Sequence, residues 1–261
     1  MPRFSAHLGY LFTERPLLQR IEAAAAAGFK AIEGRFPDGI AVEDFRRAVE
    51  RSGVQVLGIN TPQGNENEFG LGALAGREEE WRASFARAIE FVGGVGGLAI
   101  HCLAGMVAPA ARREAERVFV ENLKRAADEA AAKKIKLYLE PINLRDVPNY
   151  FLNSVEQAAD IIGQVGSDNV FIQYDFYHVQ IVGGDLIARF KKYQPLIAHV
   201  QCSQVPVRHE PDDNGEINYP FVFAELDRLG YPHWVGAEYR PLTSTEAGLG
   251  WGVRYGLKAS G

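Results

Sequence analysis

The chain alternates short runs of β-branched and aromatic residues with longer segments rich in Ala, Glu and Arg at helical period, and it does so eight times. Each strand candidate is separated from the next by enough residues for a loop and a crossover helix, which parallel strands require. This order predicts repeated βα units around a parallel sheet. The eight strand candidates are Arg3–Leu8, Phe29–Glu33, Val54–Ile59, Leu98–Leu103, Ile135–Glu140, Val170–Tyr174, Ile197–Gln201 and Trp234–Glu238.

The connections between these units favour a closed barrel over an open, doubly wound sheet. The predicted helices Glu14–Ala27, Val42–Ser52 and Val155–Val165 each end at a glycine, which is a common helix stop. No Pro-rich or Ser-rich linker divides the chain, and no GxGxxG pattern follows the first strand, where a doubly wound fold would bind a dinucleotide. We therefore expect an α/β protein with a single (β/α)8 TIM barrel over residues 1–261.

Composition excludes several classes of protein. The 28 Lys and Arg residues against 33 Asp and Glu residues give a net charge of −5, which disfavours a nucleic-acid partner. Cys102 and Cys202 have no CxxC partner, so a zinc ribbon is not expected and a reducing compartment fits. The N-terminus lacks the apolar core of an export signal, and no apolar run is long enough to span a membrane. We expect a cytoplasmic protein without a membrane partner, and the sequence leaves a homo-oligomer open.

The active side chains of a parallel barrel lie at the C-terminal ends of its strands and in the loops that follow. Strand candidates five to eight place three carboxylates and one amide there: Glu140, Asp175, Gln201 and Glu238. Three carboxylates in one pocket repel each other unless a cation offsets their charge, and ligation by oxygen alone favours Mg²⁺ or Mn²⁺. The alternative is that each acid caps a helix or pairs with a surface arginine.

Seven motifs in order carry a resemblance to a known family: RFSAHL at 3–8, GREEEWR at 76–82, LEPIN at 139–143, QYDFYH at 173–178, GEINY at 215–219, WVGAEYRP at 234–241 and TEAGLGW at 245–251. Together they resemble the hydroxypyruvate isomerase family, within the wider group of xylose isomerase-like barrels that also holds the ketose 3-epimerases. The resemblance extends from about Arg3 to Trp251, which is nearly the whole chain.

The resemblance implies roles for individual residues. Glu140 and Glu238 match the family's pair of catalytic glutamates. His178 matches a histidine that contacts substrate oxygens, and Arg208 matches the arginine of the loop after strand seven. The metal-coordinating set is matched by Glu140, Asp175, Gln201 and Glu238. Gln201 stands where the 3-epimerases usually carry histidine, which favours the isomerase branch.

The implied reaction interconverts hydroxypyruvate and tartronate semialdehyde through a metal-stabilised enediol. The two compounds differ by the position of a carbonyl on adjacent carbons, so one group must remove a proton and another must return one. Glu140 and Glu238 are expected to do this as an acid/base pair. The same metal centre would also suit a 2-oxo-tetronate isomerase, a ketose 3-epimerase or an inosose-type dehydratase, and a barrel that binds without catalysis is the third alternative.

Arg208 is expected to separate a 2-oxo acid from an uncharged sugar, because a guanidinium meets a carboxylate through two parallel hydrogen bonds. The alternative is that Arg208 pairs with Glu210 or Asp212 and only shapes its loop. Three further side chains are expected at the barrel mouth as substrate contacts, namely His7 on strand one, Asn60 after strand three and His101 on strand four.

Overall fold

The structure, a computed structural model that describes residues 1–66 and 68–258, contains eight parallel strands closed into a barrel. The first and last strands pair with each other, with Arg3 opposite Trp234 and Ala6 opposite Ala237, so the sheet has no open edge. The barrel expected from the eightfold alternation is confirmed. The strands are β1 (Arg3–His7), β2 (Ala31–Gly34), β3 (Gln55–Asn60), β4 (Ala99–His101), β5 (Lys136–Leu139), β6 (Val170–Asp175), β7 (Ile197–Cys202) and β8 (Trp234–Ala237).

Helices connect successive strands and form the outer layer. In the described part of the chain, the α-helices are α1 (Leu17–Ala26), α2 (Val42–Ser52), α3 (Glu78–Gly94), α4 (Arg112–Ala132), α5 (Val155–Val165), α6 (Phe176–Val182), α7 (Leu186–Tyr193) and α8 (Tyr219–Arg228). Three 3₁₀ segments also occur there: Pro109–Ala111 before α4, Gln194–Leu196 before β7 and Ala247–Tyr255 after β8. No helix among the described residues is both long and apolar enough to cross a membrane.

Local sequence signals set several of these boundaries. The hydroxyl of Ser154 accepts a hydrogen bond of 3.1 Å from the Gln157 N–H and so caps the start of α5. The same helix ends at Gly166, which has a φ of 70°. Helix α2 likewise ends at Gly53 with a φ of 65°. Both helices have the bounds that the sequence predicts.

The strand ends determine where the polar side chains lie. Strand β5 ends at Leu139, so Glu140 stands just beyond it rather than at its last position. Strand β6 extends one residue further than predicted, through Asp175, and α6 begins immediately after it. The Asp175 carboxylate accepts a 2.9 Å hydrogen bond from the Tyr177 N–H, which caps this helix without an intervening loop.

The apolar core lies between the outside of the barrel and the helices. Phe4 of β1 packs edge-on against Phe223 of α8 and against Trp251 of the last 3₁₀ segment, with ring centroids 5.1 and 5.0 Å apart. The inside of the barrel is more polar. There the His199 ring stacks on Tyr138 at 5.8 Å between centroids. This polar interior leads directly to the barrel mouth.

Candidate active site

A cavity of about 230 Å³ opens at the carboxyl ends of the strands. Its volume lies below the range of roughly 300–1,000 Å³ that is common for drug-sized ligands, so it suits a small molecule. Most of the residues predicted from the sequence line it: His7, Asn60, His101, Glu140, His178, Arg208 and Glu238. Asp175 and Gln201 are buried beside this lining, at 1% exposure each, and stand opposite each other in the pairing of β6 with β7.

Three carboxylates lie buried at the cavity. One ligand atom from each of Glu140, Asp175 and His178 lies within 4.8 Å of the others, an arrangement that a metal ion could occupy. Burial, together with the negative charges of Glu238 and Asp175, raises the pKa of Glu140 well above its usual range. Burial also raises the pKa of Asp175 to about 7, against the opposing effect of Arg208. The negative charge of these carboxylates is therefore not fully compensated by the protein, and a divalent cation bound beside them would compensate it.

Arg208 supplies part of the missing positive charge. Its Nη2 lies 2.9 Å from Oε2 of Glu238 and 3.2 Å from Oδ2 of Asp175. Within the described residues, Oε2 of Glu238 accepts no hydrogen bond. The 2.9 Å contact with Arg208 is therefore an ion pair in which no N–H points at the carboxylate oxygen. The alternative pairing of Arg208 with Glu210 or Asp212 is not the one the structure shows. Glu210 instead accepts a 3.0 Å hydrogen bond from the Leu242 N–H.

Two tyrosines enclose the Arg208 guanidinium. Its central carbon lies 4.9 Å from the ring centroid of Tyr10 and 4.8 Å from that of Tyr177. The Arg208 side chain is 9% exposed, and the backbone takes a left-handed φ of 58°, which is uncommon for a residue with a side chain. Two rings, two carboxylates and a constrained backbone thus fix this arginine in place.

Three histidines face the acids. His7 Nε2 lies 3.4 Å from Oε1 of Glu238, and His101 Nδ1 lies 3.4 Å from Oε2 of Glu140. His178 Nε2 lies 3.5 Å from Oε1 of Glu140 and 3.6 Å from Oδ2 of Asp175. Burial lowers the pKa of all three histidines, that of His101 to about 3, so they are neutral near pH 7.

The protonated nitrogen of His178 follows from its other contact. The backbone N–H of Asn143 donates to His178 Nδ1 at 3.3 Å. A neutral imidazole has one donor and one acceptor nitrogen, so Nδ1 is the acceptor and Nε2 carries the proton. His178 therefore presents an N–H donor, on Nε2, to the oxygens of Glu140 and Asp175.

A chain of buried hydrogen bonds runs beneath the carboxylates. The Gln173 amide donates 2.9 Å hydrogen bonds to Oε2 of Glu140 and to Oε1 of Gln201. The Gln201 amide in turn donates 3.0 Å to Oε1 of Glu33, and the other oxygen of Glu33 contacts His199. The predicted metal-binding role of Gln201 stays a prediction, and its side-chain oxygen already accepts from Gln173.

Sequence reasoning missed three side chains that this site uses: Tyr10, Gln173 and Tyr177. A signal existed for Gln173, because it lies two residues before Asp175 on the same strand and so shares its face. No sequence signal places Tyr10 and Tyr177 on opposite sides of one arginine. Both are far from Arg208 in the chain, and the closed barrel brings two loops and the start of α6 together at its mouth.

Comparison with known proteins finds similarity along nearly the whole chain. A family model described as a xylose isomerase-like TIM barrel matches residues 21–255. The chain is 43% identical over 254 residues to a 2-oxo-tetronate isomerase of Cupriavidus necator, covering 96% of this chain and 97% of that protein. It is 40% identical over 258 residues to a putative hydroxypyruvate isomerase of Homo sapiens, covering 95% and 93%. A crystal structure described as an AP endonuclease, family 2, from Brucella melitensis matches with a TM-score of 0.95 at 37% identity, covering 98% and 99%.

Proposed function

We propose an isomerase function on the premise that this chain belongs to the xylose isomerase-like TIM barrel family. The reaction is the interconversion of hydroxypyruvate and tartronate semialdehyde, at a metal-dependent site. The observation that carries the proposal is the pair of buried glutamates, Glu140 and Glu238, that line one small cavity with His178 and Arg208 beside them. The names of the relatives, hydroxypyruvate isomerase and 2-oxo-tetronate isomerase, support the same reaction class.

The cation would be Mg²⁺ or Mn²⁺, held by Glu140, Asp175, Gln201 and Glu238. This donor set is all oxygen, as these hard ions prefer, and its raised carboxyl pKa values indicate unmet negative charge. When bound, the cation would supply Lewis-acid stabilisation of negative charge that develops on the substrate oxygens. Arg208 would hold Asp175 and Glu238 in position from the other side, through contacts of 3.2 and 2.9 Å.

The two glutamates would move the proton between neighbouring carbons. Glu140 follows β5 and Glu238 follows β8, so they approach the cavity from different sides of the barrel. One carboxylate removes the proton from the hydroxymethyl carbon, which leaves an enediol, and the other carboxyl group delivers a proton to the adjacent carbon. Their burial, at 4% and 6% exposure, keeps water away from the proton in transit.

The remaining polar residues would bind substrate oxygens. His178 carries its proton on Nε2 and can donate to an oxygen that becomes negative during the reaction. Arg208 has an Nε without a hydrogen-bond partner among the described residues, and this N–H is available to one substrate oxygen. His7, Asn60 and His101 line the same cavity and complete the proposed contacts.

A second substrate is supported by the comparisons. The relative from Cupriavidus necator is named a 2-oxo-tetronate isomerase, and its 43% identity is close to the 40% of the human protein. A four-carbon 2-oxo acid with a hydroxyl on its third carbon would undergo the same proton shift at the same two glutamates. A ketose 3-epimerase is the less favoured alternative, because Gln201 stands where those relatives usually carry histidine.

The proposed partner is a small molecule rather than nucleic acid, although one similar solved structure is described as an endonuclease. The net charge of −5 gives little attraction for a phosphate backbone. The one group of acids and histidines with metal-site spacing in the described residues lies in the small cavity of about 230 Å³. Both cysteines are buried and unpaired, which suits the cytoplasmic location that we propose.

The test is solvent proton exchange. Purified protein with Mg²⁺ or Mn²⁺ is incubated with hydroxypyruvate in deuterium oxide, and NMR follows deuterium at the hydroxymethyl carbon and the appearance of tartronate semialdehyde. A parallel reaction uses 2-oxo-tetronate. We expect exchange with at least one of the two acids, and the larger kcat/KM assigns the chain length. If neither acid shows exchange with Mg²⁺ or with Mn²⁺, the proposed function is overturned.

A further inference from the structure

The guanidinium of Arg208 has no complete fork left for a substrate carboxylate. A carboxylate pairs with arginine either through the two terminal nitrogens or through Nε and Nη2, and both geometries use Nη2. In this structure Nη2 already lies between Asp175 and Glu238. The rings of Tyr10 and Tyr177 lie on the Arg208 guanidinium, at 4.9 and 4.8 Å from its central carbon, and together with the two carboxylates they restrict its reorientation.

The charges of the inner site balance without an anionic substrate. Glu140, Asp175 and Glu238 bring three negative charges, which a divalent cation and Arg208 offset in full. A substrate carboxylate placed among them would add repulsion. Its favourable position is therefore further out, where positive charge is unmatched.

Arg35 and Arg240 supply such charge at the cavity mouth. Both line the cavity, and in residues 1–66 and 68–258 neither guanidinium has a carboxylate within 4.0 Å. The two aspartates that line the same cavity have other partners. Asp38 pairs with Arg87 at 2.7 Å, and Asp146 lies 3.5 Å from Arg145.

Arg35 is also held in a defined place. Its guanidinium carbon lies 5.4 Å from the ring centroid of Tyr10, on the ring that Arg208 stacks against at 4.9 Å. Tyr10 therefore links the arginine of the inner site to the arginine of the mouth. The backbone of Arg240 is tied to the same loop, because its N–H donates 2.7 Å to the carbonyl oxygen of Arg208.

We infer that Arg35, assisted by Arg240, forms the subsite that binds the carboxylate of the substrate and makes the enzyme selective for 2-oxo acids over uncharged ketoses. This inference rests on the proposed function and adds the residues that select its substrate. The two arginines act on binding. The proton transfer by Glu140 and Glu238 continues in their absence.

The experiment compares hydroxypyruvate with dihydroxyacetone, in which a hydroxymethyl group replaces the carboxylate. Solvent exchange gives kcat/KM for both compounds with wild type, Arg35→Gln, Arg240→Gln and the control Arg47→Gln. Arg47 is an exposed arginine of α2 that pairs with Asp44, so its removal changes net charge equally. Binding of glycerate, an unreactive three-carbon acid, is measured on the same metal-loaded proteins.

We expect Arg35→Gln to lower kcat/KM for hydroxypyruvate and to weaken glycerate binding by about 10- to 100-fold, with a smaller effect for Arg240→Gln. The rate with dihydroxyacetone and all values for Arg47→Gln should stay within about twofold of wild type. An equal loss on both substrates, or unchanged glycerate binding in Arg35→Gln, overturns the subsite. Wild type without exchange on either 2-oxo acid overturns the proposed function instead, and the glycerate measurement still decides the anion subsite.

Discussion

At the scale of single residues, the site depends on carboxylates whose neighbours differ. Glu140 receives a hydrogen bond from Gln173 and faces His101 and His178. Glu238 faces His7 and Arg208. Each glutamate therefore has its own set of neighbouring groups, which suits two acid/base groups with separate tasks in one reaction.

The first prediction concerns these two glutamates. Glu140→Gln and Glu238→Gln each keep the side-chain shape and a ligand oxygen, but an amide cannot accept a proton from carbon. Each change is expected to lower kcat by a factor of at least about 10²–10⁴, measured by solvent exchange. Glu114→Gln, at an exposed acid of α4, serves as the control. Near wild-type exchange by either active-site variant would exclude the two-glutamate mechanism.

The second prediction concerns Gln173, which donates to Glu140 and Gln201 together. Gln173→Leu removes both hydrogen bonds and leaves the two oxygens without their donor. Groups that orient metal ligands in this way typically change metal affinity by about 10–100-fold. We expect that loss for Mn²⁺, measured by calorimetry, with an unchanged circular dichroism spectrum. Gln164→Leu, at a surface glutamine bonded to Glu116, should bind Mn²⁺ like wild type, and equal affinity in both variants would remove the role of Gln173.

Much of the candidate site could be predicted at this scale, and the limit has a physical cause. The eightfold βα alternation places Glu140, Asp175, Gln201 and Glu238 at or just beyond the C-terminal ends of neighbouring strands, where a parallel barrel carries its active side chains. The partners of Arg208 could not be predicted, because they depend on how a loop after β7 folds back over β6 and β8. The proton position on His178 likewise depends on Asn143, which is 35 residues away.

At the scale of elements, the strands meet closely inside the barrel at β8. A Cβ atom on Gly236 would lie 2.1 Å from Oε1 of Glu33 and 2.9 Å from Cγ of Gln201. Because Gly236 has no side chain, Glu33 of β2 and Gln201 of β7 can form their hydrogen bond over the inner face of β8. The residue at position 236 is therefore restricted by the side chains of Glu33 and Gln201 and not only by the strand preference of β8 itself.

The third prediction follows from this close approach. Gly236→Ala must displace the pair of Glu33 and Gln201, and such overpacking typically costs about 1–3 kcal/mol. Urea unfolding should show that loss, together with weaker Mn²⁺ binding. Gly163→Ala is the matched control, because it lies inside α5 with no atom within 4 Å of the added Cβ and should be neutral or stabilising by up to about 1 kcal/mol. Equal stabilities of the two variants would contradict the proposed packing.

The helices differ in how far their bounds can be predicted from the sequence. Helices α2 and α5 carry a clear apolar period and a terminal glycine, and their bounds were predictable. Helix α6 was not, because it follows β6 directly and no glycine, proline or loop interrupts the buried run from Ile172 to Val179 that contains the junction. The cap that separates the two elements is Asp175, for which the sequence left both a metal-ligand role and a helix-cap role open.

At the scale of the whole molecule, the candidate ligands come from four neighbouring strands of a closed barrel. A cation bound there connects β5, β6, β7 and β8, so it stabilises the folded chain against the unfolded one. At a concentration about 100 times its Kd, a ligand adds about 2.7 kcal/mol. For a protein of this size, that corresponds to roughly 5–10 °C in Tm. Removal of the cation with a chelator should lower Tm by this amount, and unfolding should remain a single transition.

The fourth prediction is that this gain depends on pH, because cation binding requires ionised carboxylates. Asp175 is buried beside Glu238, which raises its pKa, and Arg208 and the hydrogen bond from the Tyr177 N–H offset this rise only in part. Its pKa of about 7 in the folded chain exceeds the value of about 3.9 for an unfolded aspartate. A raised carboxyl pKa favours folding below the unfolded value, and that contribution is lost as pH rises through about 7. The buried negative charge that then forms is what the cation neutralises.

At pH 6 the cation must therefore displace a proton from Asp175, whereas at pH 8 the Asp175 carboxylate is already ionised. Its apparent affinity should be about tenfold weaker at pH 6, where one proton must leave for each cation bound. Differential scanning fluorimetry with and without 1 mM Mn²⁺ at both pH values measures this as a larger rise in Tm at pH 8. Asp175→Asn removes this titrating group, so its cation effect should be smaller and should change less between the two pH values than that of wild type. An equal rise in Tm for wild type at pH 6 and pH 8 would show that Asp175 is already ionised in the folded chain at pH 6, and would contradict the prediction.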